Sequence, residues 1–370
     1  MSEQELIYLM ALTRLLPYNS QVQHALLDAA GNATTLFEAR RDLGSLIPEI
    51  TPRLAETMAQ MGDHVTRAEQ ELTFAQNNHI AVIPCDDSRY PIRLRECQDA
   101  SVILFYRGNA DLNSLHILSI VGTRKATDYG KRFCQRFLNE LSQICPDCII
   151  VSGLAYGIDI AAHRQALANG LQTIGVLAHG LDQIYPRMHR NTAIEMLTHG
   201  GLLTEFMSQS NADKINFVSR NRIVAGISDA TLVVESARKG GSLITADIAN
   251  GYGRDVFAVP GRVGDSASEG CNQLIGNNRA ALLTSTENFV DAMGWETKGD
   301  KKGPIQRDLF VQLSEEEQVV YNALKDTDGK HINQLTVETN LPIGQLSSLL
   351  FELEMRGVVR QLSGGLYRLV

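Results

Sequence analysis

A chain of 370 residues and 40.7 kDa has room for two or three domains of roughly 100–200 residues each. With 44% hydrophobic and 21% charged residues its composition is globular, which excludes a disordered or fibrous chain. The net charge of −8, from 34 basic and 42 acidic side chains, excludes a protein that coats nucleic acid by bulk charge but leaves room for a local basic groove.

No apolar run approaches the roughly 18 residues that cross a bilayer, and Met1–Leu6 is polar, so neither a membrane span nor a signal peptide is expected. Six cysteines scattered over a long chain fit a reducing, cytoplasmic location better than a disulfide scaffold. Cys145-Pro-Asp-Cys148 ends a helical stretch and runs into a strand. That is the reverse of a redox CxxC, and no second ligand pair completes a zinc site, so it reads as a turn with two ordinary thiols.

Residues 1–75 read as a small helical domain. Leu6, Leu9 and Met10, then Val22, Leu26 and Leu27, then Leu54, Met58, Met61 and Val65 recur at helical spacing, broken by Pro17, Gly31, Gly44, Pro48 and Pro52. From Ile80 the pattern changes. Ile80–Ile83 and Ser101–Tyr106 predict lead-in strands. Short apolar runs at Ile117–Val121, Ile149–Val151, Thr173–Leu177, Leu202–Thr204, Leu232–Val234, Val256–Val259 and Ala281–Leu283 then alternate with stretches of helical length. Buried strands separated by helices predict an α/β domain over 76–297, a Rossmann-like, doubly wound, mostly parallel sheet. A polar linker is expected over 298–312, rich in Lys and Gly. Beyond it, helical patterns at Glu315–Lys325, Ile332–Glu338 and Ile343–Arg356, then a hairpin turning at Gly364-Gly365, predict a winged helix over 313–370.

Charge is unevenly spread over these segments. Residues 1–112 hold 9 basic and 15 acidic side chains, residues 113–295 hold 16 of each, and residues 296–370 hold 9 and 11.

Ligands of a doubly wound sheet bind beyond the carboxyl ends of its strands, so the residues after each strand matter most. After the first comes Gly122-Thr123-Arg124, where a glycine, a hydroxyl and a guanidinium near a helix start read either as a phosphate clamp or as a plain turn. After the second, Gly153, Ala155 and Gly157 offer small residues whose amides can face an anion. Asp159 and His163, four apart, read as structural rather than acid–base partners. Further loops carry Tyr185, Arg187 and Arg190. Lys214, Phe217, Arg220, Asn221 and Arg222 follow, and Arg238 and Lys239 precede Gly241 and Ser242. Basic groups and rings repeated across one sheet edge suit an extended polyanion, with phosphates on the cations and bases on the rings.

In order, Tyr90-Pro91, SIVGTR, SGLAYGID, TIGVLAHGLD, RNRIVAGIS, GGSLITADIA, RDVFAVPG and EGCNQLI resemble the DNA-processing protein A (DprA/Smf) family over roughly residues 84–290. The resemblance implies a non-catalytic protein, without cofactor or metal, that binds single-stranded DNA, forms a homodimer and loads the recombinase RecA in natural transformation. It implies a SAM-like N-terminal domain. Gly122, Thr123 and Arg124 match the family's phosphate-binding motif, Arg187 its basic residue after Tyr-Pro, and Arg220 and Arg222 its Arg-Asn-Arg block. Lys214 is added for its nearness to that block. Departures include Phe217-Val218 in place of Phe-Pro, which leaves the helix entry less fixed.

The alternative is an enzyme of the nucleoside-monophosphate phosphoribohydrolase type, with Gly240-Gly241-Ser242 as its phosphate turn and Glu235 or Glu205 as its acid. In the winged helix, Glu352 and Glu354 on the expected recognition helix disfavour duplex reading and favour a protein contact.

Overall fold

The computed structural model describes residues 1–295, 313–362 and 364–369, apart from 326 and 328. The expected linker over 298–312 lies outside the described residues.

Six helices open the chain: α1 (Glu3–Leu15), α2 (Ser20–Ala30), α3 (Ala33–Glu38), α4 (Leu43–Leu46), α5 (Pro52–Ala59) and α6 (Val65–Asn77). Their starts are set by the polar residues that precede them. Ser2, Asn32 and Thr51 each accept an amide hydrogen bond at the first turn, and Pro52 occupies a helical position where its missing N–H costs nothing. Met10, Leu12, Leu36, Leu43, Met58 and Met61 form their shared core. That core continues into Ile103 and Phe105, so the helices rest on one edge of the sheet. A buried polar contact completes the joint. Glu71 accepts from the amide and hydroxyl of Ser208 at 2.9 and 2.5 Å, and Arg67 donates to the Ser208 carbonyl at 2.6 Å.

The nine-stranded sheet comprises β1 (Ala81–Pro84), β2 (Ile103–Gly108), β3 (Ile117–Val121), β4 (Ile149–Ser152), β5 (Thr173–Val176), β6 (Gly200–Thr204), β7 (Ala230–Val233), β8 (Asp255–Ala258) and β9 (Ala281–Leu282). Their order is β1-β2-β6-β5-β4-β3-β7-β8-β9. All neighbours from β6 to β9 are parallel, and β1 and β2 close one edge antiparallel. Strands β3 to β8 are almost wholly buried because helices cover both faces. The chain reverses its direction of winding between β3 and β7, which makes the crevice at their carboxyl ends the expected ligand position.

The helices of this layer are α7 (Ile92–Arg95), α8 (Asp128–Ile144), α9 (Ile158–Ala168), α10 (Arg190–Met196), α11 (Lys214–Gly226), α12 (Gly241–Gly251), α13 (Glu269–Gly276) and α14 (Thr286–Met293). At the opposite, amino end of the strands, Arg93 donates to Asp229 at 2.7 Å, with both side chains fully buried, and Asp229 also accepts the Ile117 amide at 2.8 Å. Cys145 and Cys148 are buried free thiols, and burial pushes Cys145 up to about 11, which suits the inert turn expected of them.

The C-terminal unit consists of α15 (Glu315–Leu324), β10 (Lys330–His331), α16 (Ile332–Thr339), α17 (Ile343–Met355), β11 (Val359–Leu362) and β12 (Leu366–Leu369). It is the three-helix, winged arrangement read from the sequence. Ser314 and Glu317 form a reciprocal capping box at α15. The unit docks on the amino end of the large sheet. His331 reaches Asp255 at 3.0 Å, Asn333 accepts from Arg254 at 3.2 Å, and Gln334 meets His116 at 2.9 Å.

Candidate nucleic-acid interface

The loop Gly122–Ala126 leaves β3 at the switch point and is pinned to its neighbour by the Thr123 amide, which donates to the Glu235 carbonyl at 2.7 Å. Helix α8 then starts on Thr127, whose hydroxyl accepts from Tyr129 while its own amide and hydroxyl donate to the Glu235 carboxylate at 2.9 and 2.5 Å. With its backbone fixed at both ends, the loop presents Arg124 and Lys125 to solvent.

Arg124 points toward α11. Its guanidinium carbon lies 4.9 Å from the centroid of Phe217, on the first turn of that helix. The half-buried Phe217 ring stands 6.0 Å from Tyr185 and 6.0 Å from the guanidinium of Arg220. A cation over a ring face is attractive, more so where water is partly excluded. Tyr185 is 47% and Tyr156 41% exposed, so two further rings open to solvent beside this cluster. Tyr156 packs edge-on against His189 at 5.2 Å, and the Tyr185 amide donates to His179 Nε2 at 3.2 Å, which fixes the loop. The sequence reading counted the Tyr185 ring among the groups of this edge but not Tyr156, for which an aromatic residue directly after a strand was the available signal.

Arg220 takes a different position from the one expected. It is 4% exposed and donates to the Val176 carbonyl at 2.8 Å. Burial lowers it to about 10, opposed by the nearby Asp159, so it remains charged at neutral pH. Burial likewise raises the Asp159 carboxyl, with Arg220 opposing. Arg220 therefore lies beneath the surface as a buried positive charge behind Phe217 rather than as an open phosphate ligand.

Arg222 departs further from expectation. It lies on another side of α11, where its guanidinium is committed to Glu205, the Ser101 hydroxyl and the Asp99 carbonyl. The ion pair with Glu205 offsets most of the charge a phosphate would meet there, so Arg222 serves structure first. Asn221 is half-buried on the same helix, and Lys214 is exposed at its start, lining a groove of about 700 Å³ with Tyr18, Ile215 and Val218.

The glycine-rich loops also serve packing more than anion binding. A Cβ on Gly153 would fall 1.7 Å from Arg220 Nη1, so the glycine makes room for the buried guanidinium. Gly157, at φ +80°, passes 2.1 Å, measured to such a Cβ, from the Thr123 carbonyl. Against Gly122 stands Ile158 rather than open space for a ligand. The Ala155 amide points to Asp159 Oδ2 at 3.4 Å, and the Ser242 hydroxyl donates to Ser236 at 2.9 Å, whereas Gly241 is exposed at the start of α12. His163 bonds Thr173 at 2.7 Å, not Asp159, and burial lowers it to about 3.

Arg187, on the loop after β5, and Arg190, at the start of α10, are exposed, as are Arg238 and Lys239 on the loop after β7. The carboxyl edge thus carries exposed cations on the segments after β3, β5, β6 and β7, while the loop after β4 adds the Tyr156 ring but no cation. Among the described residues, no cluster of three or more His, Cys, Asp or Glu side chains is placed to hold a metal.

The fold and its edge define the class: a Rossmann-like, doubly wound protein with a basic, aromatic carboxyl edge and a docked winged helix. Comparison places the chain within it. Residues 81–294 match the model of the DNA recombination-mediator protein A family, and residues 310–365 match that of the DprA winged helix domain. The chain belongs to this DNA recombination-mediator family. Its similarity to DNA processing protein DprA of Streptococcus pneumoniae is 40% identity over 204 residues, 55% of this chain and 71% of the relative. To Protein Smf of Escherichia coli it is 34% over 314 residues, 81% of this chain and 80% of the relative. The solved Streptococcus pneumoniae DprA superposes with a TM-score of 0.66 at 31% identity, covering 79% of this chain and 98% of that one. The DNA processing protein A of Helicobacter pylori, described for its single-stranded DNA binding mode, superposes with a TM-score of 0.52 at 28% identity, covering 57% and 94%. No described helix is long and apolar enough to cross a membrane.

Proposed function

We propose that this protein binds single-stranded DNA along the carboxyl edge of its sheet, without catalysis, and as a homodimer presents the strand to the recombinase RecA. The observation that carries the reading is the Arg124–Phe217 pair at the switch point, a cation and a ring positioned to take a phosphate and its neighbouring base. Lys125, Arg187, Lys214, Arg238 and Lys239 extend the phosphate-binding surface to either side, and Tyr156 and Tyr185 extend the stacking surface. The likeness to a relative described for single-stranded DNA binding supports the ligand, and the family's description as a recombination mediator supports the hand-over. Arg220 acts from beneath by holding positive potential behind Phe217.

The phosphoribohydrolase alternative, with Glu235 or Glu205 as its acid, finds both carboxylates already in structural roles. Glu235 is 1% exposed and holds the start of α8, and Glu205 holds Arg222, Ser101 and Ser219. Both carboxylates are thus engaged in structural hydrogen bonds.

Binding of a short oligo-dT, measured at two salt concentrations, tests the proposal. Affinity is expected to weaken with salt, and Arg124→Ala to lower it at least about tenfold while reducing the log–log salt slope by about 0.7. Salt-independent binding, or release of free base from a nucleoside monophosphate, overturns it.

A further inference from the structure

Helices α8 and α9 lie side by side on the outer face of the sheet, and both begin at the candidate edge, α8 from the Arg124 loop and α9 from the loop after β4. Between them runs a groove of about 740 Å³. One wall is Tyr129, Arg132, Arg136 and Asn139 of α8, spaced so that they share one face of the helix. The other includes Gln165 and Asn169 of α9, and the amide of Asn139 donates to that of Asn169 at 2.9 Å where the two walls meet. Phe133, 5% exposed, forms the floor.

Three properties of this groove go together. None of the described residues lining it is a carboxylate, in a chain with 42 acidic side chains against 34 basic. Arg132 and Arg136 are exposed and make no ion pair among the described residues, so both guanidinium groups are available to an anion. Tyr129 is 48% exposed and held in place by its hydroxyl, which donates to the Pro260 carbonyl at 2.7 Å, giving a fixed ring at the mouth nearest Arg124.

We propose that this groove is the continuation of the single-strand track, taking the nucleotides that leave the Arg124–Phe217 cluster. The inference rests on the single-strand reading given above. Guanidinium groups at Arg132 and Arg136 meet successive phosphates, Tyr129 stacks a base, and the neutral amides of Asn139, Gln165 and Asn169 meet base edges that both donate and accept hydrogen bonds. From Tyr129 to Asn139 the wall rises about 15 Å, room for a few extended nucleotides. Continuity favours the strand as occupant, since the fixed Tyr129 ring stands at the mouth nearest Arg124, where nucleotides leaving the edge would arrive.

The test uses the intact chain and two lengths of oligo-dT, about 6 and about 20 nucleotides, which bracket common single-strand site sizes. The double variant Arg132→Ala/Arg136→Ala is expected to bind the short oligomer as the unmodified protein does. For the long one it loses on the order of tenfold in affinity, with a salt slope lower by about 1.4. Arg132→Lys/Arg136→Lys is expected to restore most of the loss. Equal loss on both lengths overturns the proposal, as does unchanged affinity for both, the result expected if an acidic protein segment were the occupant. Failure of the edge reading has its own signature. Short-oligomer binding then survives Arg124→Ala, which leaves the groove an isolated patch and overturns the continuous track as well.

Discussion

The guanidinium carbon of Arg124 stands 4.9 Å from the centre of the Phe217 ring, joining the loop after β3 to the first turn of α11. Two segments far apart in sequence thereby form one contact at the point where the sheet reverses its winding.

Because Phe217 offers a π-face to Arg124 and to an incoming base, Phe217→Ala should weaken oligo-dT binding by about 1–3 kcal/mol, roughly 5- to 150-fold. Its effect on the salt slope should be small, since no charge is removed. Titration at several salt concentrations separates this signature from that of Arg124→Ala, which lowers affinity and slope together.

Gly153→Ala should destabilise the fold by about 1–3 kcal/mol, because the new methyl group would lie 1.7 Å from Arg220 Nη1 and the buried guanidinium must move off the Val176 carbonyl. Gly241→Ala serves as the control, since a Cβ there meets nothing within 4 Å. Chemical denaturation of the two variants should show the difference. Equal stability would mean that Arg220 has room to move.

His163 gives a pH dependence of definite sign. Buried against Thr173, it is lowered to about 3 from the ordinary value of 6.5, so the folded state stays unprotonated while the unfolded chain takes up a proton. Its contribution to stability is fully present above about pH 6.5 and is lost as pH falls from there toward 3, by up to about 1.4 kcal/mol per unit. His163→Gln should flatten the stability curve over that window, measured by denaturant midpoint against pH.

The winged helix docks on the amino end of the strands, through His331–Asp255 and Asn333–Arg254, and the candidate interface lies at the carboxyl end. Removal of residues 296–370 should therefore leave oligo-dT affinity unchanged and lower the thermal midpoint, because Arg254, 6% exposed, loses the Asn333 amide. Abolished binding would place the winged helix in the DNA path.

Much of the core was legible in the chain itself. The apolar run Ile117–Val121 predicts β3 residue for residue, and the turn at Gly364-Gly365 marks the wing, because both signals are local. The candidate edge was legible as a set of post-strand loops, since a doubly wound sheet places those loops together whatever their sequence. What could not be read was which cations reach the surface.

Arg220 and Arg222 stand two apart on one helix and look alike in sequence. Two residues of α-helix turn a side chain through about 200°, so one points behind Phe217 toward Gly153 and Asp159, and the other toward Glu205, Ser101 and Asp99. Tyr129, Arg132 and Arg136 look like the solvated face of an amphipathic helix until α9 is set beside them and makes a groove. The family, the succession of strands and helices along the chain and the position of the edge were set by local patterns of hydrophobicity, glycine and charge, whereas the spatial order of the strands came from the tertiary structure. Which arginines are buried and which are free was decided by partners more than ten residues distant in sequence, since desolvation and ion pairing depend on what the folded chain brings alongside. The net charge of −8 excludes binding by bulk charge, and the fold resolves it into a carboxyl edge where Arg124 and Lys125 meet solvent.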